Sequence, residues 1–115
     1  MNRHIYDCQE GCPVESTLQF ISGKWKSVIL YHLFKEQVCH FGQLKRDLKD
    51  CSQRMLALQL AELEQDGIIQ KNIYQEIPLK TDYTLTKFGK TLEPVVLAMS
   101  QWGTYYNQLA KTESN

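Results

Sequence analysis

Ser52-Gln53-Arg54-Met55-Leu56-Ala57-Leu58-Gln59-Leu60-Ala61-Glu62-Leu63-Glu64-Gln65-Asp66-Gly67 reads as one helix with both ends marked. Ser52 is a good N-cap, since its hydroxyl can accept a hydrogen bond from the free amides of the next turn; Gly67 supplies the C-terminal stop, and nothing between them breaks a helix. Immediately upstream, Phe41, Leu44 and Leu48 recur at i, i+3 and i+7, with Gln43, Lys45, Arg46 and Asp47 on the other faces. That spacing describes a surface helix with a narrow buried edge, ending near Lys49-Asp50. Two helices joined by about three residues make a helix-turn-helix over 41–66.

Downstream of Gly67 the texture changes. Ile68-Ile69-Gln70-Lys71-Asn72-Ile73-Tyr74 is rich in β-formers, and Thr81-Asp82-Tyr83-Thr84-Leu85-Thr86 alternates polar and apolar residues. Gln75 to Lys80 forms the tip between them, so 68–86 reads as a β-hairpin behind a helix-turn-helix, that is, a wing. A last helix is expected over about 87–111, its apolar residues Phe88, Leu92, Val95, Met99, Trp102, Tyr106 and Leu109 spaced 4, 3, 4, 3, 4, 3. Such a heptad seam implies a partner helix, and Pro94, which cannot donate its backbone hydrogen bond, implies a kink or a late start. Lys111-Asn115 reads as a frayed end.

Upstream, Cys12-Pro13-Val14-Glu15 is a helix entry, with Pro near the first helical position, Glu in the first turn, and Leu18 and Ile21 as anchors before Ser22-Gly23. From Lys24 to about Glu36, Trp25, Val28, Ile29 and Leu33 form one stripe while Leu30, Tyr31 and Phe34 cover much of the rest, as in a helix buried on several sides. The fold class is therefore mainly α with a small β-hairpin, in a single domain over 1–115. A chain of 115 residues that is 43% hydrophobic is enough for a modest core without disulfide staples.

In a helix-turn-helix the first residues of the second helix enter the major groove, so the outward side chains matter. A helical wheel puts Met55, Leu56, Gln59, Leu60 and Leu63 on one arc and Arg54, Ala57, Leu58, Ala61 and Gln65 opposite, with Gln53 on the flank beside Ser52. Arg matches guanine O6 and N7, and Gln matches adenine N6 and N7. Leu58 is the odd member: it touches a thymine methyl, or it packs against the wing or the preceding helix. Lys80, beside Pro78, reaches a phosphate or a narrow minor groove, or is an ordinary solvated lysine. Ser52, Gln53, Arg54, Ala57, Leu58 and Lys80 are thus the candidate DNA-binding residues.

The net charge is zero, 13 basic against 13 acidic residues, so a DNA-binding surface must be local. Lys45, Arg46, Lys49 and Arg54 face only Asp47 and Asp50 in their stretch, while Glu62, Glu64 and Asp66 gather further on. No stretch approaches the roughly 18 apolar residues of a membrane span, and the N-terminus has no apolar run after its basic residue. With two tryptophans and six tyrosines for a core, Cys8, Cys12, Cys39 and Cys51 read as reduced thiols of a cytoplasmic protein.

His4, Cys8 and Cys12 are spaced four apart, and His32, Cys39 and His40 add ligand types, but there is no paired C-x-x-C and no clear fourth ligand, so no metal is expected. No Gly-rich phosphate loop, Cys-His-Asn order or isolated carboxylate pair calls for an enzyme or a cofactor. A dimeric protein-interaction module without DNA binding is the competing reading, because zero charge and a dimer seam suit it too.

Taken together, Cys12-Pro13-Val14-Glu15, Gly23-Lys24-Trp25-Lys26, Phe41-Gly42-Gln43-Leu44, Ser52-Gln53-Arg54-Met55-Leu56, Leu60-Ala61-Glu62-Leu63-Glu64-Gln65-Asp66-Gly67, Tyr83-Thr84-Leu85-Thr86, Gly89 and Trp102-Gly103 resemble the HxlR-type family of bacterial winged-helix regulators, relatives of the MarR-type proteins. The resemblance spans about residues 12–103. It implies homodimers on palindromic operators, joined by helices from both chain ends, with repression the commoner mode; on this chain the interface falls on Leu92, Val95, Met99, Trp102 and Tyr106. Some similar proteins sense electrophiles or oxidants through a cysteine before the Pro-Val of the first helix, the position of Cys12, and free amides at a helix start favour thiolate over thiol. An inert packing cysteine is the other reading of Cys12, and Cys8 and Cys51 are the candidate resolving partners. The family usually has polar residues where Ala57 and Leu58 stand, so no operator sequence carries over.

Overall fold

The computed structural model describes residues 3–9 and 11–114, the last of these by backbone alone. Helix α1 (Pro13–Ile21) begins at the expected entry and α2 (Lys26–Glu36) follows; then come β1 (Val38–His40), α3 (Phe41–Asp47), α4 (Gln53–Gln65), β2 (Ile69–Tyr74), β3 (Lys80–Leu85), α5 (Lys87–Lys90) and α6 (Glu93–Ser114). The fold is mainly helical with a small antiparallel sheet, a winged helix-turn-helix.

One apolar core joins these elements. Ile29, Leu30 and Leu33 of α2 are fully buried against Leu44, Leu56, Leu60, Leu63 and Ile68, while Trp25, Val28, Tyr31 and Phe34 close its margins. Removing that much apolar surface from water is the main force holding so short a chain together. Ser52 caps α4 as expected, its Oγ accepting from the Met55 amide at 3.0 Å. Gly67, at φ 74, ends the helix in the left-handed region and lets the chain turn into β2.

Besides a start of α2 at Lys26, two residues later than expected, four features differ from the sequence pattern. The hairpin is part of a three-stranded sheet of order β1-β3-β2, in which Val38, Cys39 and His40 pair with Thr84, Tyr83 and Asp82. Three residues are too few to show alternation, so β1 carries no signal of its own. The helix-turn-helix connection is Leu48–Ser52, longer than three residues, because Leu48 and Cys51 turn inward and are buried before the Ser52 cap. The expected C-terminal helix is broken at Thr91-Leu92; α6 starts late, with Pro94 its second residue, where a missing amide costs nothing. Helix α6 continues through Ser114 instead of fraying from Lys111, and Asn115 lies outside the described residues.

Candidate nucleic-acid interface

The N-terminal half of α4 stands clear of the core on one side. Leu56, Leu60 and Leu63 are buried beneath it, whereas Ser52, Gln53, Arg54, Ala57 and Leu58 are exposed. Leu58, at 49% exposure, is not packed on the wing; Ala57 and Ala61 are the residues that face it. Met55, expected on the core arc, is exposed as well, and its sulfur accepts from Gln59 Nε2 at 3.4 Å.

Glu62 of α4 and its C-cap Asp66 are answered from within the chain, as is Asp47 of α3. Lys26 Nζ, on a nearly buried side chain, lies 2.7 Å from Glu62 Oε1. The Arg3 guanidinium grips Asp66, with Nε 3.0 Å from Oδ1, and also lies over the Phe20 ring. Asp47 sits 3.9 Å from His32 Nδ1. Among the described residues, Lys49 and Arg54 have no such anionic partner, so the local basic excess survives folding although the net charge is zero.

Strand pairing decides where the wing cations point, because paired residues in an antiparallel ladder share a face. Lys80 is the first residue of β3, not part of the tip, and is paired with Tyr74; its Nζ lies 5.6 Å from that ring's centroid. The same face carries a polar chain in which Gln70 Nε2 donates to Asn72 Oδ1 (3.1 Å) and Asn72 Nδ2 donates to Asp82 Oδ1 (2.9 Å) and Thr84 Oγ1 (3.2 Å). A hydrogen bond to buried Asp82 pushes the Tyr74 hydroxyl pKa up. The opposite face carries Ile69, Lys71, Thr81, Tyr83 and Leu85 and turns toward α4. Lys71 is a second wing cation; it is unmarked in the sequence because only the ladder register distinguishes it.

The cysteines divide into two pairs. Cys8 and Cys12 are exposed, whereas Cys39 and Cys51 are buried, and all four are free thiols. Cys12 caps α1, its amide donating to Glu15 Oε1 at 3.2 Å, so a carboxylate already occupies that helix end. Burial, helped by Glu36 and Asp47, pushes the Cys39 pKa up to about 11. Burial also raises Cys51, against the opposing fields of Lys45 and Lys24.

On the seam side, Leu92 and Val95 pack partly against the chain's own core, and Val96, off the seam, is the fully buried anchor of α6. Met99, Trp102 and Tyr106 are 46%, 65% and 53% exposed, and the Trp102 and Tyr106 rings stack at 6.0 Å. Phe88 lies on α5, edge-on to Phe20. Among the described residues no helix is long and apolar enough to cross a membrane.

Known proteins are similar to this chain in sequence and in fold. The chain is 48% identical over 101 residues to the HTH-type transcriptional regulator YybR of Bacillus subtilis (strain 168), covering 88% of this chain and 80% of YybR. It is 50% identical over 97 residues to YdeP of the same organism, covering 84% and 75%. Among solved structures, the redox regulator HypR superposes in its oxidized form with a TM-score of 0.78 at 48% identity, over 82% of this chain and 96% of HypR. Its reduced form gives 0.80 at 44% identity, over 87% and 98%. The profile of the HxlR-like helix-turn-helix proteins matches residues 20–111, and the chain belongs to that family.

Proposed function

We propose that the chain is a sequence-specific regulator of transcription that binds double-stranded DNA as a homodimer in the cytoplasm, acting as a repressor on a palindromic operator. The observation that carries this reading is the exposed first turn of α4, where Gln53 and Arg54 project free of anionic partners beside a wing. Relatives named as transcriptional regulators favour it over a protein-interaction module. Ser52 fixes the helix start, Gln53 and Arg54 read base edges, Ala57 and Leu58 meet the groove floor, and Lys80 reaches the backbone. Met99, Trp102 and Tyr106, with Leu92 and Val95 at the inner end of the seam, join two copies.

We further infer that Cys12 makes the protein responsive to oxidants or electrophiles. HypR is named a redox regulator and is known in both redox forms, and Cys12 is exposed where buried Cys39 and Cys51 are shielded. Of the two resolving candidates, Cys8 is exposed, while Cys51 must first be uncovered.

The test is a gel shift on DNA upstream of the protein's own gene, with and without reductant. Salt-sensitive, sequence-selective retardation supports the reading. Its absence at every salt concentration defeats it in favour of the interaction module.

A further inference from the structure

We propose that Lys71 and Thr81 form a seat for a backbone phosphate of the bound duplex, in the cleft between α4 and the wing, with Glu64 as its acidic inner stop. The proposal rests on the DNA-binding reading and adds residues to it.

The ladder places Lys71 opposite Tyr83, and Thr81 opposite Ile73, on the sheet face that also carries buried Ile69. Lys71 therefore stands on the α4 side of the wing, and Lys80 on the far side. Between wing and helix lies a cleft of about 370 Å³, lined by Phe41, Ala57, Ala61, Glu64, Lys71, Thr81 and Tyr83. A long side chain at 57 or 61 would fill this space; the alanines leave it open. Its volume is many times the roughly 30 Å³ that one water takes up in the liquid, room for a phosphate with its hydration.

The lining suits an anion at one end only. Lys71 is exposed and has no ion-pair partner among the described residues. The Thr81 hydroxyl is a donor, and its backbone is held in place by His40, whose Nδ1 lies 3.2 Å from the Thr81 carbonyl oxygen. Ala57, Ala61 and Glu64 succeed one another away from the DNA end of α4, with Glu64 about 10 Å beyond Ala57 along the axis. Burial, with the field of Glu64 behind it, raises the pKa of the Tyr83 hydroxyl, which marks that carboxylate as close to the cleft floor. An entering phosphate is attracted by Lys71 and repelled by Glu64, so the pair sets how deeply the strand sits.

The experiment measures binding of a mixed-sequence duplex of about 30 base pairs, nearly three helical turns, by fluorescence anisotropy across a potassium chloride series. For Lys71→Gln the slope of log affinity against log salt should become shallower by about one, and Lys71→Arg should keep the parent slope. Glu64→Gln should tighten binding severalfold. A Lys71→Gln protein with the parent's affinity and slope, while Arg54→Ala loses its preference for the upstream DNA, overturns the seat and leaves the DNA-binding reading intact. Lower melting temperatures for both Lys71→Gln and Glu64→Gln with unchanged slopes also overturn it, because the two residues would then serve each other as an ion pair. A parent protein without salt-dependent binding sinks the functional reading itself, and the seat with it.

Discussion

A β-carbon on residue 89 would stand 2.0 Å from the Ile68 carbonyl oxygen, so Gly89 is the point where α5 closes directly on the base of the wing. The Thr86 hydroxyl completes the joint, lying 2.6 Å from the Gly67 carbonyl oxygen and 3.1 Å from that of Ile68 while accepting from the Gly89 amide at 2.9 Å. Backbone on backbone cannot rotate away as a flexible side chain can. Gly89→Ala should therefore destabilise the fold by about 1–3 kcal/mol or more through overpacking. Gly42→Ala is the control: its β-carbon would meet only the Arg46 side chain at 3.5 Å, and it should be neutral or slightly stabilising. Thermal melts of the two variants check this, and a Gly89→Ala melt equal to the parent's would refute the joint.

The pair between Lys26 and Glu62 ties α2 to the back of α4. Lys26 is 7% exposed and Glu62 is half-open to solvent, so the cation is the member that depends on its partner. Removing Glu62 should cost about 1–3 kcal/mol, less than for a fully buried pair because water reaches the carboxylate side. Lys26→Met in the Glu62→Ala background should recover most of the loss, since an apolar chain of similar length suits the same slot. A denaturant double-mutant cycle measures the coupling, and strict additivity of the two changes would show that the contact contributes nothing.

On DNA, Arg54 and Lys80 should fail differently. Arg54→Ala should weaken specific binding by about 1–3 kcal/mol and relax preference at one base pair per half-site, because a bidentate contact is lost. Lys80→Ala should weaken binding to all sequences and flatten the salt dependence, as loss of a phosphate contact does. Titration of operator and mixed-sequence duplexes separates the two patterns; if both variants bind like the parent, the recognition surface lies elsewhere.

The elements legible in the sequence were those with strong periodicity or punctuation. Ser52 and Gly67 bracket α4, Cys12-Pro13 opens α1, and Pro94 signals the late start of α6. What stayed hidden was tertiary. The three-residue β1 is defined by a partner strand more than 40 positions away, and Leu48 and Cys51 lengthen the turn because the core accepts them. The same holds for the site. Exposure of Arg54 follows from a helical wheel, but whether a wing lysine faces the recognition helix depends on register with the opposite strand, which assigns Lys71 and Lys80 to different faces. Pairing of Glu62 and Asp66 with Lys26 and Arg3 was equally out of reach, since it joins segments that only the fold brings together.

Helix α6 should hold two copies together. Leu97, Met99, Trp102, Tyr105, Tyr106 and Leu109 are all more than 40% exposed, an apolar stretch on one helix that a lone chain would leave in water. Trp102→Glu should shift sedimentation at micromolar concentration from dimer toward monomer and weaken operator binding with it, because only a dimer would hold two copies of α4 about 34–36 Å apart, one turn of DNA. A parent protein that sediments as a monomer, with Trp102→Glu unchanged, would remove α6 as the interface.

The cysteines give the last test, and accessibility sets the expected order. Cys8 and Cys12 are exposed on the same N-terminal turn, closed by the Gly11 amide donating to the Asp7 carbonyl at 2.9 Å, whereas Cys39 and Cys51 lie inside the core. Burial holds the Cys39 thiol protonated up to about pH 11, so at neutral pH it offers almost no thiolate, the species that attacks electrophiles. A short pulse of iodoacetamide on the native protein should therefore label Cys8 and Cys12 first, and Cys39 and Cys51 only after denaturation. Labelling alone does not make a switch. Residues 3–9 lead from the Arg3–Asp66 contact at the end of α4 to the Cys8–Cys12 turn, and are pinned to α1 by Gln19 and Ser16, which bond the backbones of His4 and Tyr6. Bulk or a crosslink added at Cys12 should therefore disturb α1 and, through Arg3, the C-terminal end of α4, and should bias a dimer between two arrangements with different operator affinity. Diamide or a quinone should change operator binding of the parent protein at least severalfold and leave Cys12→Ser unaffected, with reductant reversing the diamide effect. Equal responses in the two proteins, or none in either, would remove Cys12 as the switch; a response retained in Cys12→Ser and lost in Cys8→Ser would transfer the role to Cys8.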